Sequence, residues 1–486
     1  MLPDHDTCYR AIIAKDTRFD GRLFTGVLTT GIYCRQICPA RVPKSANVRF
    51  YQSAAAAGEA GFRPCLRCRP ETAPETPAWN GSSATIARAL RLIDEGGLDE
   101  HGVEHLAMRL GMGDRQLRRL FMKHVGASPI AVAQTRRILL AKQLLHETHL
   151  SMTQVALASG FGSVRRFNEV FDKLFKRPPS DIRRGLVPQI THHAGGEIAL
   201  KLRFRSPYDW DGIADFLKHR LYTGIEVFEN NNYRRSFCIN GSIGVVSVGP
   251  GGKDWLNVGI RCQNLACLPK VIARVRAAFD LASDPHAISE HLLKDNFLAA
   301  LVDNRSGLRL PSSWDGFEGV VRAVLGQQIT VKAAIALGEK LTRALGDPLP
   351  ADLVHESGLT HRFPEPAAVA AADLSFMPMP KSRQRTLSAI SQAFVTSPEI
   401  LEGPIEEVRA RLASIVGIGP WTLDYIALRV LRDCDSLPAT DVALVRAMSQ
   451  LFGYASSPAQ LAAHSEGWKP WRSYASQHLW TSLGAR

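Results

Sequence analysis

Leu412-Ala-Ser-Ile-Val-Gly-Ile-Gly-Pro-Trp-Thr-Leu-Asp-Tyr-Ile-Ala-Leu428 reads as a helix, a Gly-x-Gly hairpin and a second helix. Gly417 and Gly419 leave the turn's backbone amides open, with little side-chain obstruction, so the hairpin can receive a phosphate. A lone Gly-Ile-Gly is a weak signal, because many turns look like it. Three further stretches strengthen it: Gly326-Gln-Gln-Ile-Thr330, Leu437-Pro-Ala-Thr-Asp441 and Trp468-Lys-Pro-Trp-Arg-Ser-Tyr-Ala-Ser-Gln-His-Leu-Trp480. From about 311 onward the chain reads as helices broken by Gly- and Pro-marked turns.

Upstream the period changes. Ile198, Leu200, Leu202 and Phe204 alternate with other residues, as in a half-buried strand. Two apolar runs flank Asn240-Gly241, a hairpin signal, and Trp255 to Arg261 reads as another strand. Residues 197–290 are therefore α+β. Residues 82–184 read as short helices in two similar units. Prolines in 70–77 and the Gly185–Gly196 stretch read as linkers. The expected fold is a multidomain α+β protein: a small cysteine-bearing domain at 1–76, an all-α double helix-turn-helix at 82–185, an antiparallel α+β domain at 197–308, and an all-α helix-hairpin-helix domain at 309–486.

Of the 486 residues, nine are cysteines. Cys8, Cys238, Cys262, Cys267 and Cys434 are scattered, as buried, inert thiols are. Cys34, Cys38, Cys65 and Cys68 are arranged as C-x3-C, 26 residues, then C-x2-C. Two close pairs separated by a loop match a tetrahedral four-cysteine Zn2+ site. By spacing alone the metal is a folding staple for a domain of about 75 residues.

The net charge of +13 is uneven. Residues 1–190 carry 28 Lys+Arg against 17 Asp+Glu, a surplus of 11, and the rest carry a surplus of 2. A basic half favours a polyanion, most simply nucleic acid. No apolar run of membrane-spanning length occurs, and the N-terminus lacks the apolar stretch of a secretory signal, so a cytoplasmic location without membrane association is expected. In the helical units, Leu106, Leu110, Leu117 and Leu120 can close one helix pair. Arg115, Gln116, Arg118 and Arg119 then face outward. Ser163, Arg165, Arg166 and Asn168 do so in the second unit. These types suit phosphate contact and base-edge reading.

Family resemblances extend this reading. Asp20-Gly-Arg-Leu-Phe, Thr29-Thr-Gly-Ile-Tyr-Cys-Arg35, Cys38-Pro-Ala-Arg41 and Gly61-Phe-Arg-Pro-Cys-Leu-Arg-Cys68 resemble the N-terminal domain of the Ada family of adaptive-response proteins. That resemblance implies a reactive site, in which Cys34 irreversibly accepts a methyl group from a methylated DNA phosphate. Zinc keeps such a thiolate nucleophilic at neutral pH. Methylation would take the cluster from a formal −2 to −1. At ~8 Å and an effective dielectric of ~20, one charge is worth about 2 kcal/mol before screening, enough for a binding switch.

Ala156-x-x-x-Gly160-Phe161, Phe167-x-x-x-Phe171 and Phe175-Lys-Arg-Pro-Pro179 resemble the AraC-type DNA-binding domain. This implies two recognition helices in successive major grooves and a methylation-triggered transcription activator, with RNA polymerase as partner. The hairpin, Gly326–Thr330, Asp441, Trp468–Trp480 and Ser206-Pro-Tyr-Asp-Trp210 resemble helix-hairpin-helix DNA glycosylases of the 3-methyladenine glycosylase II family. There Asp441 matches the essential aspartate, whose carboxylate would stabilise the oxocarbenium-like sugar. It can equally cap the next helix. Trp421, Tyr425, Trp480 and Phe216 match pocket positions, where aromatic faces would favour cationic methylated purines.

Gln328 stands where a family member carries an apolar wedge, which fills the space a flipped base vacates, so this chain departs from the family at that position. Trp421 replaces the lysine that nicks DNA in some relatives, so a monofunctional hydrolase is expected, acting on double-stranded DNA as a monomer. The Pro-Cys-His-Arg type site of the family's second methyl-accepting domain is missing. Two rival readings remain: a regulator whose glycosylase half only recognises lesions, and a glycosylase whose zinc half only targets it.

Overall fold

Short strands and a three-residue turn frame the cysteines in the computed structural model, which describes residues 2–73, 84–99, 101–184 and 197–484. The chain divides into two compact units, residues 1–204 with 257–273, and 205–256 with 274–486. In the first unit, β1 (Phe24–Val27), β2 (Ile32–Arg35), β3 (Val48–Tyr51) and β4 (Arg63–Pro64) form a sheet of order β3-β1-β2-β4. β1 runs antiparallel to both neighbours, with Thr25 opposite Cys34, and β4 joins β2 in parallel. Helices α1 (His5–Ile13) and α2 (Ala54–Glu59) accompany the sheet; Asp4 and Ser53 cap them by accepting backbone N–H bonds.

The linker expected over 70–77 begins differently from its reading. Pro70–Thr72 form a 3-10 turn with Glu71 buried. Residues 74–77, like the second linker at 185–196, lie outside the described residues.

The helical segment contains α3 (Ala84–Asp94), α4 (Val103–Arg109), α5 (Asp114–His124), α6 (Pro129–Glu147), α7 (Met152–Ala158), α8 (Val164–Phe175) and α9 (Pro179–Arg184). Leu106, Leu110 and Leu117 are buried and Leu120 packs partly against them, closing the first pair as their spacing requires. In the second, Phe161, Phe167, Phe171 and Phe175 form a ladder with ring centroids 5.4, 4.7 and 5.3 Å apart. Each such buried ring stabilises the pair by roughly 1.5–3 kcal/mol. α6, 19 residues long, starts at Ser128, whose Oγ accepts from Ala131 N, with Pro129 in the first turn. β5 (Ile198–Arg203) follows with the expected alternation, Ile198, Leu200 and Leu202 buried.

The second unit contains a meander of β6 (Glu226–Glu229), β7 (Asn232–Ile239) and β8 (Ser242–Gly252), and β9 (Trp255–Cys262) follows in sequence. Asn240 and Gly241 both have positive φ (50° and 75°), which a tight two-residue hairpin turn requires. Arg235 on β7 is buried against Glu318, 2.6 Å away, and Arg322 reaches Glu226 at 2.6 Å, fastening the meander to helix Gly316–Leu325. That helix is buried nearly all round and centres one helical core. A second core gathers Leu428, Leu444, Met448, Trp468 and Leu479. Between them the two cores position the hairpin helices and the helix that follows Asp441. Among the described residues, no helix is long and apolar enough to cross a membrane.

Candidate functional site

The sulfurs of Cys34, Cys38, Cys65 and Cys68 lie within 4.8 Å of one another, a spacing that a single tetrahedral cation fits. β2 carries Cys34, the turn after it Cys38, and the loop after β4 Cys65 and Cys68. The donor set is all thiol, the soft set that Zn2+ accepts. The cluster cannot ionise fully by itself: hydrogen bonding with Cys38, then with Cys65 and Cys68, pushes the Cys34 thiol far up. Arg35 N donates to Cys68 Sγ at 3.4 Å, and Arg67 N donates to Cys65 Sγ at 3.3 Å. The Ala40 amide serves Cys38. Among the described hydrogen bonds, no backbone N–H serves Cys34, whose side chain is half-buried, whereas Cys65 and Cys68 are buried. The buried Arg35 guanidinium is held by Asp20 and donates to the Cys68 carbonyl at 3.3 Å.

One contact here was not legible in the sequence. Lys142, on α6 and fully buried, donates to the Cys65 carbonyl at 2.7 Å and to Glu71 at 2.6 Å. Arg69 joins Glu71 at 3.1 Å and Glu147 at 2.7 Å. Burial pushes the Glu71 carboxyl up, but Lys142 and Arg69 outweigh it and hold the group below its ordinary value. A lysine within Ile138–Leu145 reads as a solvated position; only the Glu71 turn makes it a buried partner.

On α5, Arg115, Gln116 and Arg119 are exposed, while Arg118 lies 3.6 Å from both Glu104 and Asp114. On α8, Arg165, Arg166 and Asn168 are exposed, and Arg165 pairs with Glu169 at 2.9 Å. Ser163 Oγ caps α8 by accepting from Arg166 N at 3.1 Å. Of the scattered cysteines, Cys8 and Cys267 are buried and Cys238, Cys262 and Cys434 are half-buried.

In the second unit, helices Ile405–Ala413 and Pro420–Arg429 flank the Gly-Ile-Gly turn. Gly417 has φ 96°, and a Cβ there would stand 2.0 Å from Thr386 Oγ1, so the position admits only glycine. Gly419 faces open space. Gln327 Nε2 clamps the turn, donating to the Gly417 carbonyl and Thr422 Oγ1, each at 2.9 Å. The next residue, Gln328, is exposed with φ 54°.

Asp441 joins the hairpin to the aromatic residues. Its Oδ1 accepts from Leu444 N at 3.0 Å, capping helix Val442–Phe452, and from Trp480 Nε1 at 3.0 Å. Its Oδ2 accepts from Trp421 Nε1 at 2.9 Å. Capping and carboxylate presentation therefore coexist in one residue. Trp421 and Tyr425, one turn apart, stack at 5.2 Å, and Trp480 meets Tyr425 edge-on at 6.5 Å. Phe216 lies with two arginines: the guanidinium of Arg220 is 4.2 Å and that of Arg429 is 4.5 Å from its ring centroid. The structure thus brings Asp441, Trp421, Tyr425 and Trp480 into one cluster, and adds Arg220 and Arg429, which no motif marks.

Three family models match this chain: the metal binding domain of Ada over 7–71, a helix-turn-helix domain over 106–185, and the AlkA N-terminal domain over 199–315. The chain is 40% identical over 489 residues to a probable bifunctional transcriptional activator/DNA repair enzyme AlkA of Mycobacterium tuberculosis, covering 99% of this chain and 97% of the relative. It is 31% identical to DNA-3-methyladenine glycosylase 2 of Escherichia coli, covering 58% of this chain and 97% of that one. Among solved structures, a 3-methyladenine DNA-glycosylase from Archaeoglobus fulgidus superposes with a TM-score of 0.52 at 21% identity, over 58% of this chain and 96% of that one. At that identity the likeness speaks for the fold.

Proposed function

The chain belongs to the family in which an Ada-type activator is fused to an AlkA-type DNA repair enzyme, and on that premise we propose that it repairs alkylated DNA by two separate reactions and reports the damage as a transcription activator. Its zinc-binding domain accepts methyl groups, and its glycosylase half removes alkylated bases of the 3-methyladenine type. The proposal assigns residues 1–76 to methyl acceptance, 82–185 to promoter binding, and 197–308 with 309–486 to base release. The partner is double-stranded DNA, with RNA polymerase recruited at promoters; the chain acts as a monomer in the cytoplasm.

The observation that carries the glycosylase reading is Asp441, both of whose oxygens are held by tryptophan N–H groups of the aromatic cluster. Those bonds hold the carboxylate in place beside the aromatic cluster, aimed at the positive charge that develops on the sugar. As the C1′–N bond breaks, its electron pair leaves with the base. Asp441 stabilises the oxocarbenium-like sugar, and water adds at C1′, its proton passing to the carboxylate. Trp421, Tyr425, Trp480 and Phe216 line the pocket, Gly417 and Gly419 receive a phosphate, and Gln328 occupies the space the base vacates. With Trp421 in place of an amine nucleophile, the reaction ends at the abasic site, as in a monofunctional hydrolase.

In the zinc domain, Zn2+ supplies the charge that keeps all four thiols deprotonated when bound. Cys34 is the methyl acceptor, the first cysteine of the cluster and the position the Ada resemblance assigns, with a side chain only half-buried where Cys65 and Cys68 are buried. Its Sγ attacks the methyl carbon of a DNA phosphotriester. The S–C bond forms, the C–O bond breaks, and the pair returns to a phosphodiester oxygen, in one turnover. Arg115, Gln116, Arg118 and Arg119 on α5 and Ser163, Arg165, Arg166 and Asn168 on α8 face the grooves of promoter DNA.

The test is one incubation of the full chain with methylated duplex DNA. Chromatography should find free methylated base, and mass spectrometry a single methyl group on Cys34. A protein that binds the DNA but releases no base would leave lesion recognition alone. Base release with Cys34 unmodified would reduce the zinc half to a targeting module.

A further inference from the structure

Arg429 is a buried cation whose hydrogen bonds all go to neutral groups. It is 4% exposed. Nη1 donates to the Pro311 carbonyl and Nη2 to Gln477 Oε1, each at 2.8 Å, while Nε has no hydrogen-bond partner. Among the described residues, neither Arg429 nor Arg220 forms an ion pair. Burial pushes the Arg429 guanidinium down to about 10, with Asp441 among the groups that oppose the shift, so it stays charged at neutral pH. Its guanidinium carbon lies 4.5 Å from the Phe216 ring, 5.1 Å from Trp480 and 6.0 Å from Tyr425. Trp480 therefore has Arg429 beside its ring and Asp441 at its N–H. The protein brings its own cations to two of these rings, Phe216 and Trp480.

We propose that Arg429 is a specificity-determining residue of the glycosylase site, one that admits uncharged damaged bases by stabilising the negative charge they carry away. The proposal rests on the glycosylase reading above. Breaking the C1′–N bond moves one electron pair onto the base whatever its starting charge. An N-alkylated purine goes from +1 to neutral; an uncharged base goes from neutral to −1. In both, the charge change on the base is the same, and a fixed cation beside the pocket favours it. The two substrates differ in binding. The alkylated purine is repelled by Arg429 before it reacts, and that repulsion cancels the gain in rate. The uncharged base meets no repulsion, so it keeps the whole gain.

The cation therefore acts on kcat for both bases, but on kcat/KM only for the uncharged one. One charge at ~8–10 Å and an effective dielectric of ~20 corresponds to a change of roughly tenfold or more.

Single-turnover release from duplexes carrying one 7-methylguanine or one hypoxanthine tests this with the full chain. In Arg429→Met, kcat/KM for hypoxanthine should fall roughly tenfold or more. For 7-methylguanine it should stay level, because kcat and KM fall together. Arg429→Lys should restore hypoxanthine release. Arg220→Gln, a milder change at a half-buried site, should move the ratio in the same direction and covers the case of a misfolded Arg429→Met. Equal losses on both bases, or no rescue by lysine, would overturn the proposal, as would a wild type that releases 7-methylguanine alone. A wild type that releases neither base refutes the glycosylase reading instead.

Discussion

Asp441 accepts three hydrogen bonds, from Leu444 N, Trp480 Nε1 and Trp421 Nε1, so one carboxylate both starts a helix and faces the aromatic cluster. Asp441 sits in a short run whose proline and following apolar helix announce a helix start, so its type and place can be read locally. Arg429 ends a helix whose neighbours Leu428 and Val430 look like any amphipathic stretch. Its importance comes from Phe216 and Trp480, which are distant in sequence. The aspartate can be tested without disturbing its helix. Asparagine caps a helix about as well as aspartate, so Asp441→Asn should keep the helix start and bind lesion-containing duplex as the wild type does, with a slightly lower melting temperature because its NH2 cannot accept from Trp421 Nε1. Base release should fall by roughly 10³-fold, because the amide supplies no negative charge to the sugar. A single-turnover assay beside a binding titration checks both, and full release by the variant would remove Asp441 from the mechanism.

At the level of elements, α6 does more than its pattern shows. Its apolar spacing reads as a core helix, and it is one, but Lys142 also ties it to the Cys65 carbonyl and to Glu71. The sequence hides this because residues 70–77 look like a linker, whereas Pro70–Thr72 form an ordered turn that buries a carboxylate. The strands and the Asn240-Gly241 hairpin were readable, since period and turn chemistry are local properties. A buried ion pair is not: each partner alone looks like a surface residue. Removing one partner strands the other charge. Lys142→Met should destabilise the full chain by about 3 kcal/mol, read as a lower denaturant midpoint. Arg69 remains near Glu71 at 3.1 Å and limits the loss. The loss should appear with zinc bound, because the Cys65 carbonyl also loses its donor. An unchanged midpoint would mean that the pair is solvated and α6 holds the zinc loop by packing alone.

Across the whole molecule, charge divides the labour. Residues 1–190 carry the surplus of 11 positive charges, and the remaining 296 residues carry 2. Counterion release makes DNA affinity fall with salt, with a slope of about −0.9 per phosphate contacted. A salt-dependent grip should therefore come from the basic half, whereas base release at saturation should depend on groups such as Asp441 that do not need that grip. The exposed pair Arg115 and Arg119 on α5 provides the test. The full chain carrying Arg115→Gln and Arg119→Gln should bind undamaged duplex with a slope shallower by about 2. At saturating enzyme its single-turnover rate for 7-methylguanine release should match the wild type. Methyl transfer to Cys34 should slow at low protein concentration, where encounter limits it, and recover when concentration rises. A base-release rate that falls with the slope would show that the glycosylase half works only when the basic half holds the DNA, and the two reactions would then be one coupled act.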